Sequence, residues 1–490
     1  MELATSPLLT DLYQLNMVQA YLERGQTEIA VFEFFVRSLP NRRGFLIGAG
    51  LQQALEHLET VRFSSEDIAW LARSGRFKPA LIDRLAAFRF TGHVHAMPEG
   101  TPFFANEPLL RVTAPLPEAQ LVETALINIL HFQTLIASKA ARMVLAAPDK
   151  LLVDFGLRRA HSVEAGLLAA RASYIAGFDG TATMMAGKLW DIPLYGTMAH
   201  SFIETYDDEA QAFEDFARSR PDRLVILLDT YDTEAAARKV VAMVPRLQAS
   251  GIKVSGVRLD SGDLVVLARS VRRILDKGGQ NEVTIFASGG LDEDDLMEFA
   301  RRNAPIDGYG MGTSLVTSFD TPALDCAYKL EEYGGVARRK RSTGKASWPG
   351  RKQVWRSYGT DGRMMGDVLS IEGDSQAGEP LLQPVMREGR RIFPSPSLAE
   401  VRSRTARELR RLPERLRRLE PGIAYPVHVA RTLVDLAEEV DRRLAKQEGG
   451  YDQTHHPRRH RHSLDLGPPE RLLRGGSPSG SGRRRDRPHH

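Results

Sequence analysis

An uninterrupted alternation between about Leu151 and Val316 restricts this 490-residue chain more than any other feature. Short apolar runs at 151–155, 175–181, 192–197, 223–229, 252–259, 282–287 and 307–311 read as strands. Helical periods fall between them, from 162, near 183–189 and 207–218, and over 233–248, 263–277 and 292–302. Strands alternating with helices imply parallel βαβ units. So many in succession favour a closed, TIM-like (β/α) barrel over an open sheet.

The flanks follow other patterns. Before about Thr113 the chain predicts a helix over 9–22, with Thr10 or Asp11 as its cap, a β-rich run at 29–36 and a helix over 46–58. Short strands separated by turns are expected over 92–112, and one long apolar helix over 118–147, just after Pro117. Beyond Asp325 the alternation stops. Residues 336–370 carry turn signals, and 398–446 read as Arg-rich helices split by Pro413 and Pro421. The expected layout is an N-terminal α/β domain (1–117), a catalytic α/β barrel (118–325), a helical or irregular C-terminal segment packing on both (326–446), and a disordered basic tail (447–490).

Composition bounds the setting. A lone cysteine, Cys326, excludes a disulfide framework within the chain and fits a reducing compartment. The first residues lack a basic, then apolar, leader pattern, and no apolar run reaches membrane-span length, so a cytoplasmic protein is expected. Residues 451–490 hold nine arginines against four acidic residues. That surplus of five exceeds the whole chain's +4 and leaves −1 for the rest, so a nucleic-acid-binding core is not indicated.

The polar and Gly-rich clusters of the alternating region fall at the ends of predicted strands: Phe155–Arg159, Thr197–Ser201, Asp229–Asp232, Arg258–Asp263, Ser288–Gly290 and Gly310–Ser314. In a (β/α) barrel the strand C-termini converge on one face, where such folds keep their sites. Gly-rich turns entering helices at Ser288, Gly289 and Gly290 and at Gly310–Ser314 can cradle phosphate. Arg158, Arg159 and Arg258 offer forked donors for phosphate or carboxylate. Asp229 and Asp260 can hold ribose hydroxyls or Mg²⁺-bound water. Together they indicate an anionic sugar phosphate. Each also has a bland reading: a Gly–Gly pair as turn geometry, His200 as a structural histidine, Asp229 and Asp260 as helix caps.

Over roughly 1–445 the chain resembles bacterial nicotinate phosphoribosyltransferases. The resemblance is carried by Thr10–Gln14, Pro98–Gly100, Asn106–Pro108, Asp154–Arg159, Gly180–Thr183, Tyr195–Ser201, Val257–Asp263, Gly310–Ser314 and Pro349–Trp355. It implies a homodimer whose chains each pair an N-terminal α/β domain with an irregular barrel and share active sites. It also implies a reaction of nicotinate with 5-phosphoribosyl 1-pyrophosphate, giving nicotinate mononucleotide and pyrophosphate, coupled to ATP through a transient phosphohistidine at His200. The pyridine ring would lie between Phe155 and Tyr13 of the partner subunit.

Within that resemblance the catalytic group would be His200, Asp229, Arg258 and Asp260. Arg258 and Thr197 would hold the nicotinate carboxylate. Mg²⁺ and Arg158 would neutralise the leaving pyrophosphate, with Ser288, Gly289, Gly290, Gly312 and Thr313 around the phosphoribosyl phosphate. The related nicotinamide enzymes carry an aspartate where this chain has Ala182, and a carboxylate there would repel nicotinate. Nicotinamide or quinolinate as substrate is the alternative that Ala182 and His200 argue against.

A reading of a different class makes the chain a polyanion-binding protein acting through its tail, which a 1–446 truncation and the salt dependence of nucleic-acid binding would separate. The tail's His455–His456 and His460–His462 clusters are read as solvated low-complexity sequence.

Overall fold

The computed structural model describes residues 6–342, 344–419, 422 and 424–449. Residues 1–441 form one compact unit, and the described part of the second, 442–449, belongs to the helix Arg431–Gly449. The expected disordered tail lies outside the described residues from 450 onward, as does Pro421.

The alternating region forms a six-stranded parallel sheet. In spatial order its strands are Gly180–Thr181, Leu151–Asp154, Gly308–Met311, Thr284–Ser288, Val254–Leu259 and Leu224–Leu227. The last strand in sequence pairs with the first, Met311 opposite Asp154, so the sheet curls back on itself as a barrel does. Closure stops short. Beyond Gly180–Thr181 the expected strand at 192–197 contributes one parallel bridge, Leu194 to Thr181, and nothing among the described residues pairs it to Leu224–Leu227. Pro193 lacks the N–H needed for a continuous ladder, and only its carbonyl and the Tyr195 N–H bond Thr181. Of the expected run at 175–181 only Gly180–Thr181 is strand, because the helix Val163–Ala176 takes its first two residues and a turn follows.

The intervening helices form where charge and apolar spacing agree. Leu264–Lys277 starts at Asp263, whose carboxylate accepts from Val265 and Val266 N–H. It buries Leu264, Val265, Ala268, Val271 and Leu275, a 3.6-period stripe, against the sheet. Each large apolar side chain contributes about 1.5–3 kcal/mol. An aspartate at Val271, fully buried, would bury a charge and break the stripe.

The flanks depart further from expectation. Residues 46–58 are not one helix: Leu46–Ile47 is a strand, and the helix begins at Leu51 behind Gly50, whose φ of 98° suits only glycine. The long helix expected at 118–147 is two, Leu116–Leu121 and Glu123–Ala146. The C-terminal segment has the expected helices, Leu398–Arg411, Glu414–Arg417 and Arg431–Gly449, but before them it also supplies strands, among them Cys326–Tyr333, Lys352–Tyr358 and Met364–Ile371. Alternation there is interrupted by charged residues that are buried in pairs, such as Arg356 with Asp367 at 2.5 Å and Lys352 with Glu33 at 2.9 Å. A seven-stranded sheet joins the two ends of the chain, with Cys326–Tyr333 and Pro108–Pro115 flanking Ile29–Val36 antiparallel.

Two sequence motifs are structural. Glu99 is buried, bonded to both Arg171 nitrogens at 2.8 and 2.9 Å and to the Gly50 N–H. Glu107 is fully buried and accepts from Phe104 N–H. No helix among the described residues is long and apolar enough to cross a membrane.

Candidate active site

At the C-terminal ends of the parallel strands, side chains from distant segments meet. Arg258, in the strand Val254–Leu259, donates from Nη2 to Asp260 Oδ1 at 2.6 Å and from Nε to Ser288 Oγ at 2.8 Å. Ser288, ending the next strand, also donates to Asp260. Asp229 follows Leu224–Leu227, and its Oδ2 accepts from Asp260 N–H at 3.0 Å and Ser261 Oγ at 2.5 Å. Neither aspartate caps a helix: Asp232 and Asp263 do so. Burial raises the Asp260 carboxyl, but the Ser288 hydroxyl, the Arg258 guanidinium and the His200 ring together hold it below its ordinary value. Asp229 Oδ1 is buried without a hydrogen-bond partner.

Phe155 follows Leu151–Asp154, its N–H bonded to Met311 O at 2.8 Å. The ring lies 5.7 Å from that of Phe286, and the Arg258 guanidinium carbon stands 5.4 Å from its centroid. Gly310 makes room for it, since a Cβ there would come within 2.6 Å of the Phe155 ring. Gly310 is thus a strand residue rather than part of a phosphate turn. Beneath the ring Asp154 accepts from Gly156 N–H and Thr181 Oγ1, at 2.8 and 2.7 Å. Burial pushes its carboxyl up to about 6. Ala182 N–H bonds Asp154 O, which sets Ala182 at the neighbouring strand end.

His200 opens the helix His200–Glu204, and its Nδ1 lies 3.1 Å from Thr230 Oγ1, one residue after Asp229. Thr197 is half-buried on the preceding loop, donating to Met198 O at 3.2 Å.

The loops expected to hold phosphate differ from expectation in one respect. The helix after Gly290, Glu293–Arg301, has Asp294 and Asp295 N–H bonded to the Asp292 carboxylate, and its first turn is acidic. A helix end so capped repels phosphate, which leaves the loop itself to face an anion. Gly289 and Gly290 have φ of 105° and 71°. A Cβ on Gly289 would fall 2.0 Å from Asp260 O, whereas Gly290 borders open space. Gly312 caps the short helix Thr313–Val316, where Thr313 is exposed and Ser314 donates to Leu291 O, joining the two loops.

Two expected residues stand apart. Arg158 is exposed on the one-turn helix Leu157–Arg159, and its side chain has no hydrogen bond or ion pair among the described residues. Tyr13 is 46% exposed on the helix Leu12–Glu23, and its hydroxyl bonds Glu123 at 3.1 Å rather than any strand-end group. No group of three or more His, Cys, Asp or Glu among the described residues could hold a metal unaided. Thr230, Ser261 and Thr181 lie inside clusters visible in the sequence, but nothing there gives them a role of their own. Their only signal is a hydroxyl placed beside a strand-end carboxylate.

Three family models match the chain: the nicotinate phosphoribosyltransferase (NAPRTase) N-terminal domain over residues 8–131, the NAPRTase family over 151–345, and the NAPRTase C-terminal domain over 374–437. A nicotinate phosphoribosyltransferase of Mycobacterium tuberculosis is 46% identical over 87% of this chain and 92% of its own length. One from Bacillus subtilis is 41% identical over 71% of this chain and 72% of its own. The crystal structure of human nicotinic acid phosphoribosyltransferase superposes with a TM-score of 0.79 at 29% identity, covering 88% of this chain and 99% of that one.

Proposed function

The chain belongs to the nicotinate phosphoribosyltransferase family, and we propose that it joins nicotinate to 5-phosphoribosyl 1-pyrophosphate, with ATP hydrolysis coupled through His200. The observation that carries the reading is the position of Arg258, which lies over Phe155 while bonding Asp260 and Ser288. One guanidinium thereby borders an aromatic surface, a carboxylate and a phosphate loop.

In this reading Phe155 supports one face of the pyridine ring, and Tyr13 of the partner subunit covers the other in a homodimer. Arg258 and Thr197 hold the carboxylate so that the ring nitrogen faces ribose C1. The nitrogen lone pair forms the new bond to C1 as the C1–O bond to pyrophosphate breaks with its electron pair. Positive character on the ribose and negative charge on the leaving group develop together. Asp229 and Asp260 lie beside the ribose, and Arg158, which has no side-chain partner among the described residues, meets the leaving pyrophosphate. Gly289, Gly290, Gly312 and Thr313 enclose the 5-phosphate.

Mg²⁺ brought with the pyrophosphate would supply charge neutralisation there. The unpartnered Asp229 Oδ1 is an acceptor suited to its water shell. His200 has Nδ1 engaged by Thr230, which leaves Nε2 to take the γ-phosphoryl group of ATP, with ADP departing. Hydrolysis of that phosphohistidine returns phosphate and free His200. While phosphorylated, His200 adds negative charge beside the pyrophosphate position and so alters how Mg²⁺ and substrate are held.

The test is product analysis of purified protein with phosphoribosyl pyrophosphate, Mg²⁺ and either nicotinate or nicotinamide, with and without ATP, beside His200→Ala. Nicotinate mononucleotide from the acid, raised by ATP only when His200 is present, is the expected result. Product from nicotinamide alone would overturn the substrate assignment, and equal ATP stimulation in His200→Ala would overturn the coupling.

A further inference from the structure

At the opposite end of the same parallel sheet, the strand Leu151–Asp154 starts beside a cavity of about 770 Å³. Four residues of strand, about 13 Å, separate that end from Phe155. Apolar side chains such as Val144, Leu145, Ala406 and Leu409 make one part of the lining. Four cations, Lys150, Arg402, Arg410 and Arg417, make another, against the acids Asp149 and Asp179.

The cations differ in how far they are committed. Arg402 donates to Gly177 O, Phe178 O and Asp179 at 2.8, 3.1 and 3.0 Å, so it ties the cavity wall together. Lys150, Arg410 and Arg417 have no side-chain hydrogen bond or ion pair among the described residues. Of the nearby carboxylates, Asp179 bonds Arg402 and Leu152 N–H and Glu414 bonds Arg418 at 2.6 Å, which leaves exposed Asp149 as the one lining acid without a side-chain partner among the described residues. Arg417 Nε is buried without an acceptor. A buried donor left unpaired is costly, and an anion within reach of it would remove that cost.

We propose that this cavity is a second ligand site, separate from the strand-end cluster, for a nucleotide-sized organic phosphate. Its volume lies within the range of small-molecule pockets, roughly 300–1,000 Å³. Guanidinium forks and the Lys150 ammonium suit a phosphate group. The apolar flank suits a ring that inorganic phosphate lacks.

Photolabelling of the full-length protein with 8-azido-AMP, followed by peptide mapping, tests the proposal. Label is expected in peptides containing 144–150 or 402–417. It should persist under saturating phosphoribosyl pyrophosphate and nicotinate, and fall about tenfold or more in Arg410→Ala/Arg417→Ala, since charge-assisted bonds carry the affinity. That double variant should keep its unliganded turnover. Label confined to strand-end peptides, absence of saturable label, or label at the cavity that ignores the double substitution would each overturn the site. Displacement by inorganic phosphate as effective as by AMP would overturn the nucleotide-sized class.

Discussion

Arg258 lies over the ring of Phe155, its guanidinium carbon 5.4 Å from the ring centroid, while its edge is fixed by Asp260 and Ser288. A lysine keeps the charge but cannot present a flat face to the ring and two directed donors at once. Arg258→Lys should therefore lower kcat/KM for nicotinate about a hundredfold, close to 2.7 kcal/mol of transition-state stabilisation. Steady-state kinetics with a melting curve as folding control would check it; retention within twofold would refute the role.

Gly289→Ala places a Cβ 2.0 Å from Asp260 O at a φ of 105°. Such strain costs on the order of 1–3 kcal/mol and is relieved by moving the loop. KM for phosphoribosyl pyrophosphate should rise about tenfold or more, by the same energy scale, with little change for nicotinate. Gly290→Ala borders open space and should be the milder variant in the same assay.

Ala182 lies at the strand end beside Phe155, linked through Asp154 O. Ala182→Asp should weaken nicotinate use through like-charge repulsion and favour nicotinamide, whose amide can donate to the new carboxylate. The ratio of the two kcat/KM values should move toward nicotinamide by about tenfold or more.

Glu293 follows the Ser288–Gly290 loop and holds Lys139 Nζ at 2.5 Å and Arg142 Nε at 2.9 Å, all three buried. Burial raises its carboxyl, yet those two cations bring it to about 2. Glu293→Gln leaves buried cations short of counter-charge, which should cost about 3–5 kcal/mol in urea unfolding at neutral pH. A depressed carboxyl contributes stability above its unfolded value and loses it on acidification. The gap between wild type and variant should thus narrow as pH falls from 4.5 toward 2.

Asp154 has the opposite sign. Burial raises its carboxyl from 3.8 to about 6, so the folded chain binds a proton that the unfolded chain has released. Its stabilising share is present below pH 3.8 and is lost as pH rises through about 6. Asp154→Asn keeps a partner for Thr181 and stays neutral. Compared with it, wild type should lose on the order of 3 kcal/mol between pH 4 and 7, read from unfolding midpoints across that range.

Most of the parallel strands were legible because they are short, largely apolar runs bounded by turn residues, and the strand-end clusters followed from them. What sequence could not disclose was pairing. One bridge at Leu194 leaves the curled sheet open, and Pro193 marks the place without announcing the consequence. The C-terminal strands were hidden because Arg356 and Lys352 are buried among them, where charge reads as loop. Phe155, Arg258, Asp260 and Ser288 were each nameable from the chain. Their mutual bonds depend on a register between neighbouring strands that no single run encodes, and the contacts of Thr230 and Ser261 were hidden for the same reason.

The pairing of Ile29–Val36 with Cys326–Tyr333 also bears on synthesis. Phe34 faces Tyr328 across that ladder, so a strand among the first made waits for about 300 more residues before its neighbour emerges from the ribosome. At ribosomal rates of about 5–20 residues per second the delay is some 15–60 s. The parallel region between them is complete sooner. Pro108–Pro115 can cover its other edge early. An apolar strand edge exposed for that long is still a point at which a nascent chain needs shielding by a chaperone, and premature termination before residue 326 would release it with that edge still bare.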